Sequence, residues 1–324
     1  MNLSARILEK VNHAIADMKY PDKPVGLYEP IRYVLSIGGK RIRPVFLLLA
    51  YCMYRNDYDN VMNAALGIET YHNYTLLHDD LMDRAEMRRG KPTVHKKWNS
   101  NTAILSGDSM LVLACKLILS VNSAKKVDIM ELFLQTALEI GEGQQFDMNF
   151  ETRIDVTEEE YIEMIRLKTS VLIACATKMG AILGGANTED ADTLYRFGEK
   201  IGLAFQLQDD LLDVYGNPEV FGKRIGGDII CNKKTFMLIN AYLRANDEER
   251  KELENWVAKT DYNESDKIKA FTSLYNRLGI RELCISRINR YFEEAKELLA
   301  EVSLPETAKE ALWDFSANLI NRKH

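Results

Sequence analysis

The chain has 324 residues, with 42 Lys and Arg against 48 Asp and Glu, a net charge of −6 and 46% hydrophobic side chains. That composition supports a sizeable buried core and excludes disordered, collagen-like and low-complexity chains. The negative balance gives no global attraction to nucleic acid or anionic lipid, so an anionic ligand must be drawn by local cations or by metal.

Proline numbers only 7 and is absent from 93 to 217 and from 219 to 304, which favours long uninterrupted helices. In chain order, helical patterns sit at 4–18, 28–37 and 42–54. Another runs from about Asn60 to Asp83 and carries Ala64, Ile68, Tyr71, Thr75, Leu76 and Met82 before the polar loop Arg88 to Pro92. Further patterns fall at 101–121 and 127–149. A Thr157-Glu158-Glu159-Glu160 capping box opens a helix expected to reach about Leu183, ahead of Gly184-Gly185. Asn187 with Asp190 starts the next, from about Glu189 to Tyr215, and Gly216-Asn217-Pro218 ends it. From Asp247 onward the pattern is of amphipathic helices broken at Thr260 to Asn263, at Gly279 and at Pro305. No segment alternates with period two for long enough to form a convincing strand, so a single all-α domain over 1–324 is expected.

Five cysteines, Cys52, Cys115, Cys175, Cys231 and Cys284, are scattered without a CxxC pair. Neither a disulfide framework nor a thiolate zinc site is encoded, and a reducing cytoplasm suits them. The first residues lack a basic segment followed by an apolar one, and the most apolar stretches are short or carry a lysine. The expectation is no signal peptide, no membrane span and a cytoplasmic protein.

One internal echo stands out. Leu76-Leu77-His78-Asp79-Asp80-Leu81-Met82-Asp83 is repeated in kind by Gln206-Leu207-Gln208-Asp209-Asp210-Leu211-Leu212-Asp213. Each is Asp-Asp-x-x-Asp on an otherwise apolar helix, and residues four apart share a helix face. Three like charges within a turn repel, and hard carboxylate oxygens suit Mg²⁺, which binds through one or two carboxylates plus substrate phosphates. Asp79, Asp80, Asp83, Asp209, Asp210 and Asp213 are therefore the candidate metal ligands; a solvated acidic helix end is the alternative for either copy alone.

Cations alternate with these acids. Gly38-Gly39-Lys40-Arg41-Ile42-Arg43-Pro44 opens a helix, Arg88-Arg89-Gly90-Lys91-Pro92 follows the first acidic motif, and Lys168-Thr169 interrupts an apolar helix. Gly222-Lys223-Arg224 and Asn232-Lys233-Lys234-Thr235 follow the second motif. Singly these are surface charge; in alternation they suit two polyphosphates clamped by metal and by Lys or Arg. His72 lies seven residues before Asp79 and Gln206 three before Asp209, whereas His78 and His95 carry no assigned role. There is no HExxH, P-loop, GxGxxG after a strand or serine elbow, which leaves zinc hydrolases, nucleotide enzymes and serine hydrolases without support.

From Gly38 to Thr235 these motifs resemble, in order, those of the trans-isoprenyl diphosphate synthases, the polyprenyl synthetase family of farnesyl and geranylgeranyl diphosphate synthases. The resemblance implies long, mostly antiparallel helices around a deep central cavity, the isoprenoid synthase fold, in a homodimer. It implies that Asp79, Asp80 and Asp83 hold two Mg²⁺ ions and that Asp209, with Asp210 and Asp213, holds a third. Arg88, Lys168, Thr169, Gln206, Lys223 and Lys233 would contact an allylic diphosphate of dimethylallyl, geranyl or farnesyl type. Lys40, Arg43, His72 and Arg89 would hold isopentenyl diphosphate. Asp79, Asp80, Asp83, Asp209, Lys168 and Lys233 would carry the catalysis. Tyr74, five residues before Asp79, and Thr75 would set product length. One aromatic residue there, with no insertion in the first motif, matches some geranylgeranyl diphosphate synthases, with the fifteen-carbon product as the alternative. A terpene cyclase and a non-catalytic subunit of a heteromeric synthase are more remote: the second motif here is another DDxxD, and both motifs are intact.

Overall fold

A computed structural model describes residues 2–216 and 225–320. The described residues are mostly helical, as the prolines and periodicities predict, and local signals account for several helix starts. Asn2 caps Leu3–Ala16, Asn99 caps Ser100–Leu119, and the expected Thr157–Glu160 capping box opens Glu158–Ile165. Asn187 Oδ1 accepts from the Asp190 amide at 2.7 Å and starts Thr188–Tyr215. The breaks expected near 260–263, at Gly279 and at Pro305 separate Asp247–Ala258, Glu264–Arg277, Ile280–Glu301 and Glu306–Ile320.

Three differences from the sequence expectation bear on the motifs. The loop after the first acidic motif is a minimal hairpin, Met87–Arg88 against Lys91–Pro92. Its two turn residues, Arg89 and Gly90, have φ of 51° and 72°, the pair of positive values that a tight hairpin turn requires. The helix expected to run unbroken to about Leu183 contains a π-helical turn, Arg166–Ser170, between Glu158–Ile165 and Val171–Gly184. Two short helices, Gly227–Ile230 and Phe236–Arg244, follow the second motif where no element was read.

The chain divides into two compact units interleaved in sequence. The first takes Met1–Gln135, Leu172–Tyr195 and Glu301–Phe315. Its centre is Ile42–Cys52, whose Val45, Phe46, Leu47 and Leu48 are fully buried; a helix apolar on every side belongs inside. Phe46 meets Phe315 edge to face at 5.2 Å. The Met62–Met82 helix packs along Ser100–Leu119 and carries the first acidic motif at its C-terminal end. The second unit takes Thr136–Val171, Arg196–Ala300 and Ser316–His324. Phe197, Phe236, Phe271 and Leu274 form part of its core, and the second acidic motif lies on its share of the Thr188–Tyr215 helix.

Two described helices, Ser100–Leu119 and Glu158–Gly184, are long and apolar enough to cross a bilayer, which the shorter stretches read from sequence were not. Glu158–Gly184 is mostly buried inside the protein, whereas Ser100–Leu119 leaves Ile104, Leu105 and Val112 exposed.

Candidate active site

In the first unit the cations of two motifs meet around the Met62–Met82 helix. Arg41 enters the helix start in a left-handed conformation, φ 49°, and its guanidinium turns inward. It donates to Glu69 Oε1 and to the Leu35 carbonyl, each at 2.7 Å, and both members of the ion pair are buried. Asn73 Nδ2 donates to the same Glu69 oxygen at 3.0 Å. Arg41 therefore ties the glycine-rich loop to the helix and is not part of an anion-binding face, leaving Lys40 and Arg43 for that task. Lys40 is exposed, and Arg43 donates to His72 Nε2 at 3.1 Å. Burial, then the positive charge of Arg43 and Arg89, holds the His72 ring well below the ordinary histidine value. The ring is neutral, and its Nε2 lone pair accepts from Arg43.

The hairpin sends its two arginines to different places, as adjacent residues at a strand end and a turn must. Arg89, at the tip, donates to the Gly38 carbonyl. A side chain at Gly39 would put its Cβ 2.6 Å from the Arg89 guanidinium, so a glycine there lets the two motifs close on each other. Lys40, Arg43, His72 and Arg89, the residues expected to hold isopentenyl diphosphate, all lie in this unit.

Arg88 points to the acidic motif. Its Nε lies 2.9 and 2.8 Å from the two oxygens of Asp80, and Nη2 approaches Asp80 at 2.7 Å and Asp79 at 3.6 Å. Asp80 is buried; burial raises its carboxyl above the ordinary value, and Arg88 only partly offsets this. Asp79 is half-buried, and Asp83, exposed, is the helix C-cap. One turn before the motif, Tyr74 is half-buried, with its ring 4.8 Å from His78 and 5.4 Å from Tyr71. Tyr71 meets Phe133 edge to face at 5.0 Å. Thr75 spends its hydroxyl on its own helix, donating to the His72 carbonyl at 2.8 Å.

The second unit holds the other motif in a different setting. Asp210 is buried and accepts from the Tyr161 hydroxyl and, at 3.1 Å, from Gln206 Nε2. Thr169 donates to Gln206 Oε1 at 3.2 Å, so two residues expected at the allylic diphosphate form one chain with Asp210, expected at the metal. Burial, then the charge of Asp228, pushes the Asp210 carboxyl up to about 7, against the hydrogen bonds of Tyr161 and Gln206. Asp213, also buried, accepts from the Asp228 amide at 3.0 Å, while Asp209 is half-buried. Beside the motif a small cavity is lined by Asp210, Asp228, Asn232, Lys233, Thr235 and Tyr275.

Lys168 and Lys233 converge on a residue outside every motif: Asp147 Oδ2 accepts from Lys168 Nζ at 2.6 Å and lies 3.9 Å from Lys233 Nζ. Lys233 follows Asn232, whose φ is 53° and whose Oδ1 accepts from the buried Lys267 at 2.7 Å. Lys223 lies outside the described residues. Asp147, Tyr161, Glu69 and Lys267 are the residues missed from sequence. Only Glu69 and Tyr161 offered a hint, as a lone acid on an apolar helix and a tyrosine one turn inside a capping box.

The donor set fits magnesium. All six motif carboxylates offer hard oxygens. Among the described residues no three His, Cys, Asp or Glu side chains are gathered as a ready-made cage, and an ion held through one or two carboxylates plus substrate phosphates does not need one.

Comparison with known proteins identifies the family of this chain. Residues 24–274 match the family described as polyprenyl synthetase. The geranylgeranyl pyrophosphate synthase of Geoglobus acetivorans is 39% identical over 97% of this chain and 96% of its own. A solved geranylgeranyl pyrophosphate synthase superposes with a TM-score of 0.94 at 41% identity, covering all of both chains. The polyprenyl synthase of Caulobacter crescentus, solved with calcium and isoprenyl diphosphate, superposes at 0.88 with 28% identity, over 99% of this chain and 96% of its own. The chain belongs to the polyprenyl synthetase family and has the isoprenoid synthase fold.

Proposed function

We propose that this protein is a geranylgeranyl diphosphate synthase, condensing an allylic diphosphate with isopentenyl diphosphate. The observation that carries the reading is that each acidic motif shares its unit with its own cations. Arg88 sits on Asp80 in one, and Lys168 and Lys233 accompany Asp209 to Asp213 in the other. Asp79, Asp80 and Asp83 with Asp209, Asp210 and Asp213 would hold as many as three Mg²⁺. The metal, when bound, supplies positive charge to a departing diphosphate.

The chain's own groups do the rest. Arg88, Lys168, Lys233 and Lys223 bind the allylic diphosphate and stabilise the negative charge that develops as its C–O bond breaks. Thr169 and Gln206 present polar oxygens to the allylic cation without a nucleophile strong enough to trap it. Lys40, Arg43 and Arg89 hold isopentenyl diphosphate by its charge, with neutral His72 orienting Arg43, so that its double bond attacks the cation. Loss of a proton, taken up by the released diphosphate, leaves a product five carbons longer. Apolar helix faces keep water from the cation, and Tyr74, backed by Tyr71 and His78, acts as the floor that stops growth at twenty carbons.

We take the whole chain as one functional domain, since each of its two interleaved units carries one acidic motif. A homodimer in the cytoplasm completes the reading. The exposed Ile104, Leu105 and Val112 of Ser100–Leu119 are the apolar side chains that a second copy would cover. The decisive test is incubation with isopentenyl diphosphate, Mg²⁺ and dimethylallyl, geranyl or farnesyl diphosphate in turn, followed by product chain-length analysis. A twenty-carbon diphosphate is expected; no condensation with any starter would overturn the reading.

A further inference from the structure

A carboxylate of the second unit that meets both motif lysines, Asp147, belongs to neither acidic motif. Asp147 sits on the Lys126–Thr152 helix, with its side chain 18% exposed, and reaches Lys168 on the π-helical turn and Lys233 in the turn after Gly227–Ile230. Burial pushes its carboxyl up, but the charges of Lys233 and Lys168 outweigh this and hold it below the ordinary value. It is therefore an anion, placed between two cations that come from distant parts of the sequence.

The backbone is built to keep that placement. Gly143, one turn before Asp147, packs directly on the π-helical turn: a Cβ there would fall 2.8 Å from the Leu167 carbonyl carbon and closer still to the Lys168 amide nitrogen. No larger residue permits that approach, and the approach puts Asp147 over the end of the Lys168 side chain. The extra residue of the π turn moves Lys168 off the regular helical register, a distortion common at functional sites.

We propose that Asp147 is a positioning residue for the departing diphosphate, acting through Lys168 and, more weakly, through Lys233. The inference rests on the reading of those lysines as contacts of the allylic diphosphate. Lysine is a compact charge on a long flexible stem, and donors lower a barrier most when they are fixed before charge develops. Two ammonium groups brought together repel; a carboxylate between them holds both in place while leaving the cluster net positive for an incoming anion. Lys168, in direct hydrogen-bond contact, gains more than Lys233, which is half-exposed and farther away.

The test is Asp147→Asn, which keeps shape and removes charge, with Asp147→Glu as the conservative variant. For Asp147→Asn, kcat is expected to fall about 10- to 100-fold, a little less than the loss of a whole stabilising donor, with KM for isopentenyl diphosphate unchanged. Asp147→Glu should restore part of the loss. In a Lys168→Ala background the same Asn substitution should cost less than about 3-fold, since residues acting through one another are not additive. Binding of inorganic diphosphate with Mg²⁺, followed by calorimetry, should weaken in Asp147→Asn. A wild-type enzyme that condenses its substrates, with Lys168→Ala impaired but Asp147→Asn unaffected or additive with it, would overturn this inference and leave the functional reading intact. Absence of condensation by the wild type would overturn the functional reading instead, and diphosphate binding equal in wild type and Asp147→Asn would then overturn the inference as well.

Discussion

The two acidic motifs have the same spacing and similar apolar neighbours, yet their carboxylates stand in different electrostatic settings. In the first, the buried Asp80 is met by a guanidinium, and the motif runs out into solvent at Asp83. In the second, the buried Asp210 is met by a tyrosine hydroxyl and a glutamine amide, and the strongest charge acting on it is another acid, Asp228. A charged donor offsets desolvation far better than neutral donors do, so Asp210 is pushed up to about 7. The charge of Lys233 offsets this only in part, and Lys168 donates to Asp147. A shared pattern therefore specifies where carboxylates stand along a helix, and their partners decide how much charge they carry.

The comparison is broken most severely by removing a ligand from each motif. Asp79→Ala and Asp209→Ala should each lower kcat by about three orders of magnitude, roughly 4 kcal/mol of transition-state stabilisation. Excess chelator should abolish turnover, and Mg²⁺ should restore it. An Asp79→Ala enzyme with near-normal kcat would return the first motif to a solvated helix end.

Next in size is the support beneath the first motif. Glu69→Ala leaves the buried Arg41 charge without its carboxylate and should cost about 3–5 kcal/mol of stability in denaturant melts. Tyr161→Phe tests the second motif: losing a hydrogen bond to a buried carboxyl should cost about 1–3 kcal/mol and raise the Mg²⁺ concentration needed for half-maximal activity. A Tyr161→Phe protein with unchanged melting and Mg²⁺ response would show that Asp210 does not depend on the hydroxyl.

The smallest expected effect is a pH dependence confined to the first unit. The His72 ring stays neutral in the fold, whereas an unfolded histidine takes up a proton near pH 6.5. The unfolded state then binds more protons, so stability is fully present above that pH and falls as pH drops through it, by up to about 1.4 kcal/mol per unit. His72→Gln should flatten this slope in melts between pH 5 and 7; an unaltered slope would place the titration elsewhere.

Much of this was legible in the sequence because it is local. A capping box, a helix stop at Gly279 or a DDxxD repeat depends on residues within a turn or two, and helical geometry then dictates which of them share a face. That is why the helix ends, the two acidic motifs and the order of the basic motifs stand where the sequence placed them. What the sequence left open depends on long-range packing. Arg41 reads as a third cation beside Lys40 and Arg43, and only burial against Glu69 makes it structural. Asp147 lies 21 residues from Lys168 and much farther from Lys233, and nothing in its own neighbourhood marks it as their partner. The proton affinity of Asp210 likewise comes from desolvation and from Asp228 and Tyr161, contributions that exist only once distant helices have closed around it.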